Sequence, residues 1–169
     1  VSSGAVLNTS NISGFVATSA SSNAGTANLI AANSGVTIDM RLASSGGYNI
    51  TGGTGGDSLY GGSGQDSFTI SSAGDESSDT YDGGANTDTL QLSSGTFNFS
   101  NNSAITNIET IRTNSAGTTL NLTGQTEGFT VIGNTGVDII TGGVGNDTLT
   151  GGSGADTFNI TQGTDTVTD

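Results

Sequence analysis

The sequence predicts an all-β chain wound as a parallel β-solenoid with rungs of about 18 residues. Three observations predict it. A nine-residue motif of glycines and an aspartate recurs six times, single large apolar residues recur at the same nine-residue beat, and the 169-residue chain holds 29 glycines and no proline. Apolar residues nine apart fit neither the 3.6-residue period of a helix nor the two-residue alternation of a long strand; they fit short strands joined by tight turns. If each nonapeptide is half a coil, each strand stacks on the strand two motifs away. Parallel strands lie about 4.8 Å apart, so roughly nine rungs would make a rod on the order of 45 Å long. Proline would interrupt any ladder it entered, because it has no N–H to donate.

Four segments follow in order. Residues 1–49 read as a β-rich segment of solenoid rungs that lack the glycine–aspartate motif, with a flexible linker as the alternative. Here Val36 to Leu42 alternates apolar and polar side chains, and the apolar positions Leu7, Ile12, Phe15, Val16, Leu29 and Ile30 stand between turn formers such as Ser13-Gly14 and Asn33-Ser34-Gly35. Residues 50–92 form a first repeat block, with GGTGGDSLY from Gly52, GGSGQDSFT from Gly61 and GGANTDTLQ from Gly83. Residues 93–130 read as intervening β-solenoid rungs, again without the motif. Residues 131–169 form a second block, with GNTGVDIIT from Gly133, GGVGNDTLT from Gly142 and GGSGADTFN from Gly151. Apolar ladders tie the blocks together: Ile50, Leu59 and Phe68; Tyr81, Leu90, Phe99 and Ile108; Ile111, Leu120 and Phe129; Leu122, Val131, Ile140, Leu149, Phe158 and Val167. The beat slips near residues 70–80 and 109–121.

The repeat carries the ligand chemistry of a hard cation. Calcium takes six to eight oxygens from carboxylates and backbone carbonyls, and a glycine turn can curl its carbonyls inward while the aspartate that follows adds charge. One loop cannot fill that sphere, whereas two loops stacked on one edge of the coil can share it, so partners are expected 18 residues apart. Asp138 then pairs with Asp156, Asp147 with Asp165, and Asp57 with Asp75. Asp66 belongs to the same phase, and Asp79 and Asp88 follow a shifted one. The third glycines, Gly55, Gly64, Gly136, Gly145 and Gly154, complete the expected sites. Ala73 replaces that glycine beside Asp75 and Asn86 replaces it beside Asp88, which marks those turns as weaker. Asp and Gly are ordinary turn residues, but turn chemistry alone does not require an acid at the sixth position of every copy.

Charge points the same way. Fifteen acidic residues against two basic ones give a formal net charge of -13, with no histidine and no cysteine. Nucleic acid and anionic lipid both require a basic face, so neither is a partner of this surface. Low hydrophobicity with unpaired acidic charge is also the signature of disorder, and the two readings meet if cation binding drives folding. Four to six calcium ions would offset most of the charge, bound in the weak range of about 10⁻⁴–10⁻³ M typical of extracellular modules. With no histidine, lysine or cysteine to serve as base or nucleophile near neutral pH, the chain reads as no enzyme. Arg41 and Arg112 are expected to neutralise Asp39 and Glu109, and Tyr48, Tyr60 and Tyr81 to be rung or surface residues. No apolar run is long enough for a membrane span.

The nonapeptides resemble those of the RTX (repeat-in-toxin) family of secreted bacterial proteins. The resemblance implies a right-handed parallel β-roll with calcium in the turns, export through type I secretion, and folding on contact with external calcium. The segment Ala104 to Ile111, followed by Thr118 to Leu122, resembles the linker rungs of RTX-type surface-layer proteins and adhesins. Two functions follow. One is a calcium-stabilised structural segment of a bacterial cell-surface protein (surface layer, fibril or adhesin) that self-associates into a lattice or filament. The other is a C-terminal secretion and folding module of an exported enzyme or toxin.

Overall fold

A computed structural model describes residue 2 and residues 4–114 and 116–169. Among the described residues eighteen short strands, numbered in chain order, stack in parallel into three sheets. The longest sheet runs the length of the molecule through β1 (Val6–Ile12), β3 (Thr26–Ala31), β5 (Asn49–Thr51), β7 (Ser67–Ile70), β9 (Thr89–Leu92), β12 (Thr110–Arg112), β14 (Thr130–Ile132), β16 (Thr148–Thr150) and β18 (Thr166–Thr168). The opposite face is divided. Strands β2 (Phe15–Val16), β4 (Thr37–Asp39), β6 (Ser58–Gly62), β8 (Thr80–Gly84) and β11 (Ile105–Thr106) form its first part, and β10 (Gly95–Asn98), β13 (Thr118–Asn121), β15 (Ile139–Thr141) and β17 (Thr157–Asn159) its second. The result is an all-parallel β-solenoid of about eight turns.

One large side chain per strand forms the central columns of the core, and a few strands add a second, such as Ile70 in β7 and Leu92 in β9. Leu29, Ile50, Phe68, Leu90, Ile111, Val131, Leu149 and Val167 stand in register down the long sheet. Facing them are Phe15, Ile38, Leu59, Tyr81 and Ile105 in one column, and Phe97, Leu120, Ile140 and Phe158 in the other. From Ile50 to Leu149 every member of these columns is almost fully buried. Parallel strands covered on their inner face by the facing wall pack without any thick core. Each apolar contact is small, and their number supplies the cohesion.

The expected 18-residue rung needs correction to about 21 residues per turn on average. An 18-residue step occurs only where complete nonapeptides alternate: Ile50 to Phe68, Val131 to Leu149 to Val167, and Ile140 to Phe158. Elsewhere the turns lengthen. A 3-10 turn at Asp75–Ser78 lies between β7 and β8, and the rung after β9 carries both β10 and β11 before it returns to the long sheet at β12. The beat therefore slips at residues 93–110 and 121–130 instead of 109–121. Phe97, not Phe99, takes the column position in β10. Phe99 and Ile108 are buried beside the columns.

Candidate metal centre

The acidic residue of each repeat stands at the same point of its rung, at the end of a turn and directly before a strand. Asp57, Asp66, Asp79, Asp88, Asp138 and Asp147 are all buried. Their carboxylates form ladders along the two edges of the solenoid, each Oδ1 accepting a backbone N–H from the turn one rung earlier. On one edge Asp57 accepts from Val36 at 2.9 Å and Asp79 accepts from Asp57 at 2.7 Å. Further along that edge Asp138 accepts from Thr118 at 2.6 Å and Asp156 from Asp138 at 2.8 Å. On the other edge Asp66 accepts from Tyr48, Asp88 from Asp66, and Glu109 Oε2 from Asp88, at 2.7, 2.6 and 2.8 Å. Beyond these, Asp147 accepts from Phe129 and Asp165 from Asp147, both at 2.8 Å. The expected stacking of Asp138 with Asp156 and of Asp147 with Asp165 is therefore present.

Two differences from the sequence reading stand out. Asp57 stacks with Asp79, not with Asp75, because the turn with Ala73 at the third-glycine position closes as the 3-10 turn and carries Asp75 off the edge. Glu109 is a ladder member that sequence reasoning missed, having assigned it to Arg112. The signal for both was local: every ladder acid but Asp138 precedes a Ser or Thr and then a large apolar residue, as in Asp79-Thr80-Tyr81 and Glu109-Thr110-Ile111, whereas Asp75-Glu76-Ser77 does not. Asn86 does not break its turn, since it adopts the left-handed conformation (φ 80°) that glycine would have taken and that asparagine tolerates.

The glycines make room for oxygen. A Cβ on Gly133 would overlap the Gly151 carbonyl oxygen and stand 2.9 Å from Asp138 Oδ2. The missing side chain of that first glycine is thus the meeting point of a carboxylate and a carbonyl from successive rungs. The same convergence recurs at Gly83, between Asp88 Oδ2 and the Asn107 carbonyl. Among the expected third glycines, Gly55, Gly64, Gly136, Gly145 and Gly154 each pack against backbone of the turn one rung earlier, which a side chain would push away.

The second carboxylate oxygens separate the turns into two kinds. The Oδ2 atoms of Asp88, Asp138, Asp156 and Asp165 are buried without a hydrogen-bond partner. In contrast, Asp79 Oδ2 accepts the Tyr81 hydroxyl at 2.7 Å and Asp57 Oδ2 accepts the Gly53 N–H at 2.9 Å. A buried, unpaired carboxylate oxygen is costly, and burial as such raises several of these carboxyls. Burial, with repulsion from Asp66, Glu109 and Asp82, pushes the Asp88 carboxyl up to about 7. Burial likewise raises Asp66, Asp79, Asp138 and Asp147, with Asp156 adding repulsion at Asp138 and Asp165 at Asp147. The Tyr81 phenol is raised by burial and by donating to Asp79.

Among the described residues no three acidic side chains converge as a cluster, so a cation here must take most of its oxygens from the backbone. That donor set, carboxylate plus carbonyl with no nitrogen or sulfur, suits calcium and not a softer metal. The cations are disposed differently. Arg41 pairs with Asp39 at 2.6 Å, as expected, and lies 4.1 Å over the Tyr60 ring. Arg112 makes no ion pair with Glu109. Tyr48 and Tyr81 are buried in the rungs. None of the described residues forms a helix long and apolar enough to cross a membrane.

Comparison with known families agrees with this geometry. A family model described as the RTX calcium-binding nonapeptide repeat matches residues 49–69, 73–95 and 132–167, in four copies. No curated protein and no solved structure matches the chain.

Proposed function

The two blocks being RTX calcium-binding repeats wound into one β-roll, we propose that the chain is a calcium-stiffened structural segment of a secreted bacterial cell-surface protein. The observation that carries this reading is the nine-stranded sheet, which runs unbroken from the calcium-poor N-terminal rungs through both repeat blocks. A rod that keeps one continuous sheet across metal-binding and metal-poor rungs suits a spacer or lattice element. A module serving only secretion and folding needs no such intervening rungs, although that remains the second reading.

Three pairs of turns supply the ion sites: Asp66 with Asp88, Asp138 with Asp156, and Asp147 with Asp165. Each pair contains a buried carboxylate oxygen without a donor, and carbonyls of the adjoining glycine turns complete the sphere. At the fourth pair, Asp57 with Asp79, the Tyr81 hydroxyl takes the place a cation would fill. Three ions are therefore expected where counting repeats gives four to six.

Electron microscopy of the chain with calcium and after its removal tests the structural role. Filaments or sheets that form with calcium and dissolve on chelation support it. Single rods in calcium at every concentration would favour the secretion module.

A further inference from the structure

Arg112 is the one described cation without a carboxylate. In a chain of net charge -13 a guanidinium with no carboxylate beside it is unusual. Arg41 and Asp39 make the single ion pair among the described residues, and the Arg112 side chain has no hydrogen-bond partner there. Arg112 instead lines a groove of about 630 Å³ at the ends of β7, β9, β12 and β14, between the two repeat blocks. Thr69, Gln91 and Asn134 contribute to the same walls. Ser93 and Thr113, whose hydroxyl oxygens are buried without a partner, also line it. Arg112 is exposed, so its guanidinium is open to a ligand held in that concavity.

The geometry points to a binding site for a saccharide carrying one carboxylate. A guanidinium recognises a carboxylate through two parallel hydrogen bonds, and the single cation limits the site to one such charge. The Thr69 hydroxyl and the Gln91 and Asn134 amides around it match a polyhydroxylated ligand. Four rungs span about 14 Å at the parallel-strand spacing, room for two or three sugar rings. An acidic peptide fits less well. Peptides join sheets by pairing with a free strand edge, and every strand lining this groove is already paired on both sides.

NMR titration of the calcium-loaded chain with sialyllactose, lactose and a glutamate-containing tripeptide tests the assignment. Sialyllactose is expected to shift Arg112 and Thr113 signals and to bind about tenfold or more tighter than lactose, the contribution of a charged hydrogen-bonded pair. Arg112→Gln should equalise the two sugars while calcium content and melting temperature stay unchanged. Arg112→Lys, which keeps the charge but not the fork, should retain part of the preference. Equal affinity for sialyllactose and lactose, a preference that survives Arg112→Gln, tighter binding of the tripeptide, or no sialyllactose binding up to about 10 mM would each overturn the proposal.

Discussion

A single phenol sets one aspartate of the ladder apart from the others. Tyr81 donates to Asp79 Oδ2 at 2.7 Å, and removing that donor leaves a buried carboxylate oxygen like those of Asp88 and Asp138. Tyr81→Phe should therefore cost the calcium-free chain about 1–3 kcal/mol, the penalty for stranding a buried polar group. With calcium present it should raise the ion count by one, read by calorimetric titration. An unchanged count would mean that the turn containing the 3-10 segment cannot supply the remaining oxygens. The complementary change, Asp138→Asn, keeps an oxygen that can accept from Thr118 but removes the charge. It should lower the count by one and reduce the calcium-dependent rise in melting temperature. At Gly133, where an added Cβ would overlap the Gly151 carbonyl, alanine should separate adjacent rungs and abolish the same site.

The rung was legible wherever the nonapeptide is complete, because turn length then sets register and strands fall 18 residues apart. Ile50 over Phe68 and Val131 over Leu149 follow from spacing alone. Residues 93–130 resisted the same reading because pairing between rungs, not turn chemistry, sets register there. Phe97 and Phe99 are both apolar and both buried, and only the pairing of Phe97 with Leu120 selects the strand position. The aspartate ladder was half visible. Its members could be named, but the exchange of Asp75 for Asp79 depends on where the chain rejoins the edge, and Glu109 lay outside the glycine motif altogether. At this scale a core truncation is the sharpest probe. Ile111 sits in β12 with Leu90 on one side and Val131 on the other, so Ile111→Ala should cost about 2–5 kcal/mol. The loss should appear in thermal unfolding of the whole rod in calcium, since β12 joins the two blocks.

For the whole molecule, charge sets the conditions under which the rod exists. Its apolar columns are one side chain wide, and its edges bury acids whose ionised forms the fold disfavours. Divalent ions bound in the native state alone would offset that penalty and would link calcium binding to folding. Removal of calcium should abolish far-UV β signal in the repeat blocks, and a spectrum unchanged by excess chelator would count against the linkage. Protons should replace calcium in part. A carboxyl raised in the fold binds its proton more tightly there than in the unfolded chain, so stability rises as pH falls. The gain begins near the raised value, about 7 for Asp88, and is complete below the ordinary value of 3.8. The other raised carboxyls, Asp66, Asp79, Asp138 and Asp147, shift in the same direction. Calcium-free chain should accordingly melt at a higher temperature at about pH 5 than at about pH 8. The calcium-loaded chain should show the opposite slope, because protons then compete with ions for the same oxygens. Melting curves of dialysed and calcium-saturated samples across this range test both slopes, and a common slope would show that the buried acids do not govern stability.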